Sequence, residues 1–220
     1  MKIIDCEQGS VEWHDVRCGI PTASDFGKIV TASKGEFSKQ SVKYQYELLA
    51  EWITGHPKDG YQSDPMLAGY LRQPEAISFY EAMRDVDVGE IGFCLSDCGR
   101  YGCSPDGHHP SSNPSIQGGP KQTGVEAKCP KQHTHMATIV SGVVPRQHWP
   151  QIQGSLLVTE WEVWDFVSFH PAINGEIIPV ERDEPYIASL QDALIEFCDR
   201  LDEAKEQLKK RGFEPAKVTA

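Results

Sequence analysis

Two short segments of the chain contain acidic and basic residues that together could hydrolyse a phosphodiester bond. Asp106 lies in S-P-D-G, and Glu126 and Lys128 lie in the later segment G-V-E-A-K-C-P. Because side chains alternate between the two faces of a β-strand, a strand over the second segment places Glu126 and Lys128 on one face and the apolar residues on the other. Asp106 comes at a turn beside a glycine, from which its carboxylate could reach Glu126.

This combination of side chains suits metal-dependent hydrolysis. Two carboxylates can hold Mg²⁺ or Mn²⁺, which prefer oxygen ligands and keep several bound waters. A nearby lysine can orient a water or help to deprotonate it, and can stabilise the charge that builds on a phosphate. A plainer interpretation stays open. Charged residues make up 24% of the chain, so E-x-K is common on solvated strand faces, and S-P-D-G is an ordinary turn.

The helices that must position these residues can be read from apolar spacing. Residues 38–54 carry apolar side chains at helical intervals before Gly55, and residues 74–83 predict a second helix. The C-terminal segment has the clearest stripe, between Pro185 and Gly212. The first stripe consists of Val42, Tyr46, Leu49 and Ile53, and the C-terminal stripe consists of Ile187, Leu190, Leu194, Phe197, Leu201, Ala204 and Leu208.

Segments rich in β-branched and aromatic residues predict strands in the middle of the chain. They cover residues 91–95, 125–129, 162–169 and 177–180. Residues 110–122 are rich in Pro, Gly and Ser and indicate a surface loop, so the segments on either side could form a hairpin. Helices before and after a block of strands predict an α/β or α+β fold with a central mixed sheet flanked by helices.

Length and composition fit a single domain over residues 1–220, with 39% hydrophobic residues to form its core. The sequence has neither a long apolar run nor a secretory signal at its start, so we expect a cytoplasmic protein with no membrane partner. The net charge of −11 argues against a general basic surface that coats nucleic acid. It is compatible with a carboxylate metal site and a small basic channel.

The seven cysteines are odd in number and irregularly spaced, which indicates a reducing compartment rather than a disulfide framework. Cys94, Cys98 and Cys103, with histidines downstream, raise the alternative of a zinc site. Structural zinc sites usually have tighter paired spacing, and buried thiols are the simpler interpretation.

The order S-P-D-G, a variable loop and E-x-K-C-P resembles the PD-(D/E)XK motif of the phage lambda exonuclease and YqaJ-like viral recombinase family of alkaline exonucleases. Three other segments resemble that family in the same order. They are the W-x3-R-x-G-x3-A-S segment at residues 13–24, the Q-x-Q segment at residues 149–153 and the E-R-D-E segment that opens residues 181–189. The resemblance extends over nearly the whole chain and implies a restriction-endonuclease-like core.

An activity is implied as well. Members of this family are Mg²⁺-dependent exonucleases that degrade one strand of linear double-stranded DNA from its 5′ end, with Mn²⁺ as a substitute metal. They leave a 3′ single strand for phage-type homologous recombination. The partners implied for this chain are double-stranded DNA ends, two further copies in a ring-shaped homotrimer, and a single-strand annealing protein such as a prophage supplies.

The resemblance also assigns residues to the catalytic and metal site. Asp106 and Glu126 match the metal-binding carboxylates, with the backbone carbonyl of Ala127 as a further ligand. Lys128 matches the catalytic lysine. Gln151 matches a glutamine that helps to place the attacking water.

Arg17 and Ser24 match residues that receive the 5′ phosphate. A helix that begins near Asp25, capped by Thr22 or Ser24, would attract phosphate at its N-terminus. Arginine adds a fork-shaped cation suited to a phosphate. The alternative for Arg17 is an exposed ion pair with a neighbouring acid such as Asp15.

Two positions depart from the family pattern. Where the family has a glutamate four residues after a glycine, this chain has Gln73 after Gly69, and Glu75 lies two positions further on. Residues two apart do not share a helix face, so we place Gln73 in the metal site as a neutral group and keep Glu75 as the alternative. Pro150 favours a helix that begins at Gln151, whose alternative role is a capping or core-edge amide.

Two other functions remain compatible with the sequence. A different PD-(D/E)XK nuclease, such as an endonuclease or a repair nuclease, would keep the carboxylates and the lysine but would give Arg17 and Ser24 no role. A non-catalytic DNA-binding scaffold of the same fold would explain the neutral Gln73. A circular duplex separates the first alternative from an end-dependent enzyme, and a Mg²⁺ titration on linear duplex tests the second.

Overall fold

The computed structural model describes residues 1–33, 35–56, 64–110 and 122–216, with the backbone alone over residues 64–70. Within these ranges the α-helices are α1 (Val11–Arg17), α2 (Phe26–Ile29), α3 (Ser41–Thr54), α4 (Asp64–Arg84), α5 (Gln132–Ser141), α6 (Trp149–Thr159) and α7 (Glu184–Lys210). The strands are β1 (Lys2–Ile4), β2 (Phe93–Leu95), β3 (Gly102–Cys103), β4 (Gly107–Pro110), β5 (Gln122–Lys128), β6 (Val163–His170) and β7 (Ile173–Glu181).

The larger of two sheets has the strand order β4-β5-β6-β7. It is mixed, because β5 and β6 are parallel whereas the outer pairs are antiparallel. A parallel pair needs a long crossover, which α5 and α6 supply here. The smaller sheet has the order β1-β2-β3 and is antiparallel. The predicted α/β fold with a central mixed sheet flanked by helices is confirmed.

Helices cover both faces of the larger sheet. Against α4, one face forms a small core of Val125, Ala127, Val167, Ala76 and Tyr80. Against α6 and α7, the other face contributes to the main core, which includes Trp164, Phe166, Leu156, Leu190 and Leu194. Since side chains alternate along β5, Glu126 points toward the α6 layer, opposite its neighbours Val125 and Ala127.

The first predicted helix has nearly the expected extent but a different buried face. Helix α3 ends before Gly55, which adopts a left-handed φ of 69°. The predicted stripe is confirmed at Leu49, which is buried, and is wrong at Val42 and Tyr46, which are 54% and 67% exposed. Tyr44 points inward instead, and its ring stacks on Phe197 of α7 with 5.7 Å between the ring centroids. The contact with α7 therefore selects a different face of the helix from the one that apolar spacing indicates.

The other two helix predictions have different outcomes. Helix α4 begins ten residues before the predicted start, and Pro74 lies inside it. Proline is disfavoured within a helix, which is why Pro74 looks like a helix start in the sequence. The C-terminal prediction is confirmed, since α7 buries the predicted stripe up to Leu201 and packs Ala204 and Leu208 against the same core.

All four predicted strands are present with shifted ends, as β2, β5, β6 and β7. The two motif segments are neighbours as expected, because β4 pairs antiparallel with β5 and places Gly107 opposite Val125. Their connection, residues 111–121, lies outside the described residues. Across the part of the chain that the structure describes, no helix has the length and apolarity to cross a bilayer. The single domain over residues 1–220 stays a prediction.

Candidate active site

Strand β5 presents Glu126 and Lys128 toward the α6 layer. The Lys128 Nζ lies 2.5 Å from Glu126 Oε1, and the Glu126 side chain is almost completely buried. Burial lowers the pKa of Lys128, but the negative charges of Glu126 and Asp106 outweigh burial, so the pKa lies above its ordinary value. Lys128 is therefore an ammonium ion that neutralises a buried carboxylate.

Asp106 lies immediately before β4 and opposite Glu126. The sheet register pairs Gly107 with Val125, and one step further along both strands Asp106 faces Glu126. The backbone N–H of Ala127 donates to Asp106 Oδ2 at 2.8 Å. Burial, followed by the charge of Glu126, raises the pKa of Asp106 to about 7. The half-buried Asp106 and the buried Glu126 are thus two neighbouring carboxylates whose mutual repulsion a bound cation would relieve.

Helix α6 brings Gln151 to the same carboxylate. Gln151 Nε2 donates to Glu126 Oε1 at 2.7 Å. The helix begins at Trp149, and Pro150 occupies its first turn, where a missing N–H breaks no hydrogen bond. Pro150 therefore marks a helix start, as expected, and leaves Gln151 in the first turn. Glu126 Oε1 accepts from both Lys128 and Gln151, and Oε2 has no protein donor among the described residues.

Gln73 lies beside Asp106, whereas Glu75 is exposed. A hydrogen bond from the Gln73 side chain lowers the pKa of Asp106, which opposes the larger effect of burial. Gln73 and Asp106 both line a groove of about 550 Å³ that also contains Glu81 and Glu90. The group next to Asp106 is therefore a neutral amide, in the place where the sequence analysis puts it.

Arg17, at the end of α1, makes its described hydrogen bond and its nearest ring contact with neutral groups. Its Nη1 donates to Ser104 Oγ at 2.9 Å, and its guanidinium carbon lies 3.8 Å from the centroid of the Trp13 ring. The alternative ion pair with Asp15 does not form, and within the described ranges no carboxylate makes a salt bridge to Arg17. Burial lowers the pKa of Arg17. A half-buried cation with no salt bridge among the described residues is a suitable place for an anionic ligand.

Ser24 makes no described contact with Arg17. Its exposed hydroxyl lies 3.1 Å from the Thr22 hydroxyl. The helix expected near Asp25 is a 3₁₀ turn over Ala23–Asp25 followed by the four-residue α2, and no side chain caps either segment. The predicted cap is wrong because the two hydroxyls that could provide it bond to each other.

Ser104 is a contact that the sequence analysis missed. Its hydroxyl oxygen accepts from Trp13 Nε1 and from Arg17 Nη1, each at 2.9 Å. Ser104 stands two positions before Asp106, so it links α1 to the turn that carries the first carboxylate, just before β4. The only signal in the sequence is its place in S-P-D-G, where turn chemistry already explains a serine.

The donor set fits a divalent cation such as Mg²⁺ or Mn²⁺. Asp106 and Glu126 supply a half-buried and a buried carboxylate that face each other, and one Glu126 oxygen has no protein donor among the described residues. The N–H and C=O of a strand residue point to the same side, so the carbonyl of Ala127 shares the direction of its N–H, which points to Asp106. Hard cations prefer oxygen donors of these kinds.

The cysteines do not come together as a zinc site. Cys94 and Cys103 face each other across β2 and β3, where both are buried, and Cys98 is exposed. Among the residues that the structure describes, no group of three or more His, Cys, Asp or Glu side chains is arranged to hold a metal. Cys94 and Cys103 thus pack as buried thiols.

Comparison with known proteins assigns the chain to a family. The model of the YqaJ-like viral recombinase domain matches residues 12–162, which include Arg17, Asp106, Glu126, Lys128 and Gln151. The chain belongs to the YqaJ-like viral recombinase family. This YqaJ-like protein is also similar to the alkaline exonuclease LHK-Exo of Laribacter hongkongensis, with 25% identity over 92% of this chain and 98% of LHK-Exo, at a TM-score of 0.79. The structure of LHK-Exo in complex with dAMP gives a TM-score of 0.78.

More distant relatives share the fold or a part of the sequence. A phage-related exonuclease of Haemophilus somnus 129PT is 12% identical over 86% of this chain and 96% of its own, with a TM-score of 0.67, which shows the fold alone. ExoD, an uncharacterised protein of Escherichia coli K12, is 33% identical over 61 residues, or 26% of this chain and 70% of ExoD. The predicted PD-(D/E)XK nuclease fold and the predicted family are both confirmed.

Proposed function

We propose that this YqaJ-like protein is a Mg²⁺-dependent exonuclease that degrades one strand of linear duplex DNA from its 5′ end and leaves a 3′ single strand. The observation that carries the proposal is the convergence of Asp106, Glu126, Lys128 and Gln151 at one place on the sheet. The similarity to LHK-Exo supports it, because that alkaline exonuclease has been crystallised with dAMP, a nucleoside monophosphate of the kind that exonucleases release.

Each polar group of the site has a definite task in this proposal. Asp106, Glu126 and the Ala127 carbonyl would hold the metal ion, which supplies an acidified water and polarises the phosphate when bound. The Gln151 amide fixes the orientation of Glu126, and its own oxygen is available to accept from the attacking water. Lys128 carries a positive charge next to the carboxylates and stabilises the charge that develops on the phosphate.

The 5′ phosphate would bind at Arg17. The Ser104 hydroxyl accepts two N–H donors, so its own hydrogen is available to donate to a phosphate oxygen. Trp13 covers the guanidinium and keeps bulk water from it. In this proposal Ser24 provides a further contact, through its exposed hydroxyl. A pocket of this composition would bind a terminal phosphate more strongly than a terminal hydroxyl.

We extend the proposal to the partners. Three copies of the chain would form a ring around the duplex, and the 3′ strand would pass to a single-strand annealing protein. Family membership supports this assembly. Sedimentation of the purified protein tests the ring, since a trimer without DNA is expected, and a monomer at all concentrations would contradict it.

The decisive experiment follows digestion of a linear duplex labelled at one defined end. With Mg²⁺, a label on a 5′ end should appear in mononucleotides at the first turnover, whereas a label on a 3′ end should stay in long single strands. Without Mg²⁺ both labels should stay in the duplex. A closed circular duplex of the same sequence should remain intact, and cutting of that circle would favour an endonuclease.

Replacement of the lysine separates catalysis from binding. Lys128→Ala should reduce nucleotide release by at least about a thousandfold, because it removes the cation beside the reacting phosphate. Affinity for the duplex should change little, since one point charge of a larger surface is lost. Release kinetics and a fluorescence-anisotropy titration measure the two effects. A Lys128→Ala protein that digests DNA at a near-normal rate would show that Lys128 is a bystander.

A second variant tests the phosphate pocket. Arg17→Ala should slow digestion of 5′-phosphorylated ends about tenfold to a hundredfold more than digestion of 5′-hydroxyl ends. The reason is that only the phosphorylated ends carry a charge with which the guanidinium can interact. Lys39→Ala is the matched control, as it removes an exposed cation outside the site. Equal effects of Arg17→Ala on both kinds of end would contradict the proposal that Arg17 binds the 5′ phosphate.

Failure of the wild-type protein to release nucleotides at any pH from neutral to alkaline would favour a non-catalytic scaffold.

A further inference from the structure

A half-buried glutamine just before α1 reaches two distant backbone carbonyls. Gln8 Nε2 lies 2.7 Å from the carbonyl oxygen of Ile91 and 2.7 Å from that of Pro105. These partners are 83 and 97 residues away along the chain. Ile91 stands two residues before β2, and Pro105 immediately precedes Asp106. One side chain therefore connects the opening segment, the entry to β2 and the turn that carries the first carboxylate.

The two partners determine the orientation of the Gln8 amide. A carbonyl oxygen can only accept, so the NH₂ group of the amide must face both carbonyls. The reversed orientation would place the amide oxygen 2.7 Å from two other oxygens with no hydrogen between them. The NH₂ group has two hydrogens, and each carbonyl accepts one of them. Gln8 thus uses both of its donors to hold two points of the backbone.

The Pro105 carbonyl depends on this contact. Pro105 is buried and lies between β3, which ends at Cys103, and β4, which begins at Gly107. Among the described residues, Gln8 is the donor to its carbonyl oxygen. A buried carbonyl that loses its donor is destabilising, because it has also lost the water that would otherwise bind to it. The backbone at Pro105 is therefore expected to move if the Gln8 amide is removed.

The peptide group between Pro105 and Asp106 is held at both of its ends. Its C=O accepts from Gln8, and its N–H, which belongs to Asp106, donates to the carbonyl of Val125 at 3.1 Å. The rotation of this peptide group determines the direction in which the Asp106 side chain leaves the backbone. That side chain then accepts from the Ala127 N–H at 2.8 Å. Gln8 thus acts on the Asp106 carboxylate through the backbone.

We propose that Gln8 is a positioning residue that keeps the Asp106 carboxylate opposite Glu126. Without its two donors, the peptide group before Asp106 is held at the N–H end alone and can rotate. The groove of about 550 Å³ that Gln8 and Asp106 both line gives the turn room to move. The consequence for catalysis rests on the proposed nuclease function, whereas the effect on the geometry of Asp106 does not.

Amide hydrogen exchange in the metal-free protein tests this geometry. Gln8→Met keeps the volume of the side chain but removes both donors. The N–H groups of Asp106 and Ala127 should then exchange at least about tenfold faster, because two hydrogen bonds that oppose opening of the turn are lost. Gln45→Met is the matched control, since half-buried Gln45 donates to the backbone oxygen of Arg200, and it should leave both amides unchanged. Wild-type exchange in Gln8→Met would overturn the proposal.

A second variant separates the two donors from the shape of the side chain. Gln8→Glu keeps that shape, but an ionised carboxylate has no hydrogen to donate. It should therefore speed exchange at the same two amides, and wild-type exchange in Gln8→Glu would contradict the role of the hydrogen bonds. The amide of Leu194, in the core of α7, should keep its wild-type rate in both variants. Equal acceleration at Leu194 would mean a general loss of stability and would contradict a local role.

Metal binding and turnover test the consequence for the proposed site. Gln8→Met should weaken Mn²⁺ binding several-fold in calorimetry and should lower kcat for nucleotide release about tenfold, because a carboxylate out of place costs catalysis. KM for duplex ends should change little, since Arg17 is retained, and Gln45→Met should alter none of these values. Unchanged Mn²⁺ affinity and kcat in Gln8→Met would exclude a positioning role. If the wild-type protein released no nucleotides, the proposed function would fail, and amide exchange would still decide whether Gln8 positions Asp106.

Discussion

Glu126 is the residue on which the candidate site depends. It is 1% exposed, and one of its oxygens accepts from both Lys128 and Gln151. A carboxylate this deeply buried is tolerated only because it has both a hydrogen bond and a counter-charge. The same two donors leave the second oxygen for a metal ion, so one set of contacts serves both stability and the proposed chemistry.

Gln73 offers a test at this scale. Gln73→Glu adds a carboxylate beside Asp106 and should tighten Mg²⁺ binding about threefold to tenfold, because a dication gains a charged oxygen ligand. Nucleotide release should be kept or should increase. Calorimetry and release kinetics measure these effects.

The matched control for this test is Glu75→Gln, which changes an exposed residue two positions away and should alter little. Loss of activity in Glu75→Gln alone would assign the metal-site role to Glu75 instead of Gln73.

Sequence reasoning at the residue scale succeeds where a repeating pattern carries the information. Alternation along β5 is enough to put Glu126 and Lys128 on one face, and the turn at S-P-D-G brings Asp106 to them. Contacts that no pattern encodes are missed. Ser104 bonds to Arg17 across 87 residues and Tyr80 to Asp165 across 85, and only the folded chain brings such pairs together.

At the scale of elements, hydrogen bonds between the Q-x-Q and E-R-D-E segments attach α6 to the neighbouring elements. Gln153 is buried, donates to the backbone oxygen of Glu181 at 3.0 Å and accepts from the backbone nitrogen of Asp183 at 2.9 Å. Arg182 Nη1 donates to the carbonyl of Leu156, 2.7 Å away in the last turns of α6. These contacts tie α6 to the end of β7 and the start of α7, and so fix the distance from Gln151 to Glu126.

Removal of the Gln153 amide should weaken the attachment of α6 to the end of β7 and the start of α7. Gln153→Leu keeps the size of the side chain but breaks both hydrogen bonds, which should destabilise the protein by about 2 kcal/mol. It should also slow nucleotide release, because Gln151 is no longer held in place. Urea unfolding and release kinetics measure the two effects.

Gln45→Leu is the control for this change, since Gln45 makes one hydrogen bond from α3 to the backbone oxygen of Arg200. It should destabilise by about 1 kcal/mol and leave the rate unchanged. Equal rates for Gln153→Leu and the wild-type protein would mean that Gln153 is structural only.

Elements are predictable from sequence to different degrees. The α7 stripe is confirmed because a 27-residue helix presents a long, regular signal. The α3 stripe is wrong at Val42 and Tyr46 because stacking of Tyr44 on Phe197 outweighs apolar periodicity over a shorter helix. The start of α4 is missed because Pro74 has the sequence signature of a helix boundary, although the surrounding structure keeps it inside the helix.

At the scale of the whole molecule, the net charge of −11 limits how the proposed DNA substrate could bind. A uniformly acidic surface repels phosphates, so contacts must concentrate where cations stand without carboxylate partners. Arg17 meets this condition among the described residues, whereas Lys28 and Arg100 are paired with acids. Recognition of a strand end is more consistent with this distribution than coating of a duplex.

Acid should destabilise the fold through His148. Burial, followed by the charge of Lys128, lowers the pKa of His148 to about 4. In the unfolded chain His148 binds a proton below about pH 6.5, whereas in the folded protein it binds one only near pH 4. The contribution of neutral His148 to the free energy of unfolding is therefore present above about pH 6.5 and is lost as the pH falls. The loss from this residue should reach about 3 kcal/mol once the pH is below both pKa values.

His148→Phe tests this expectation, because it retains a ring against Phe166 and should flatten the pH dependence of urea unfolding in this range. His133→Phe, at an exposed position of α5, should follow the wild-type profile. An unchanged profile for His148→Phe would show that other groups govern the acid response.

The crossover that joins β5 to β6 has a consequence for how such a protein can diversify. Because Gln151 is delivered by the crossover itself, one continuous stretch from Asp106 to Gln151 contains the two carboxylates, the lysine and the glutamine proposed for bond cleavage, with Gln73 as the one further metal-site group outside it. Arg17 and Ser24, which are proposed with Ser104 to bind the 5′ phosphate, come from the opening part of the chain. Substitutions in that opening part could therefore alter which DNA strand ends are bound, while the groups proposed for bond cleavage stay unchanged.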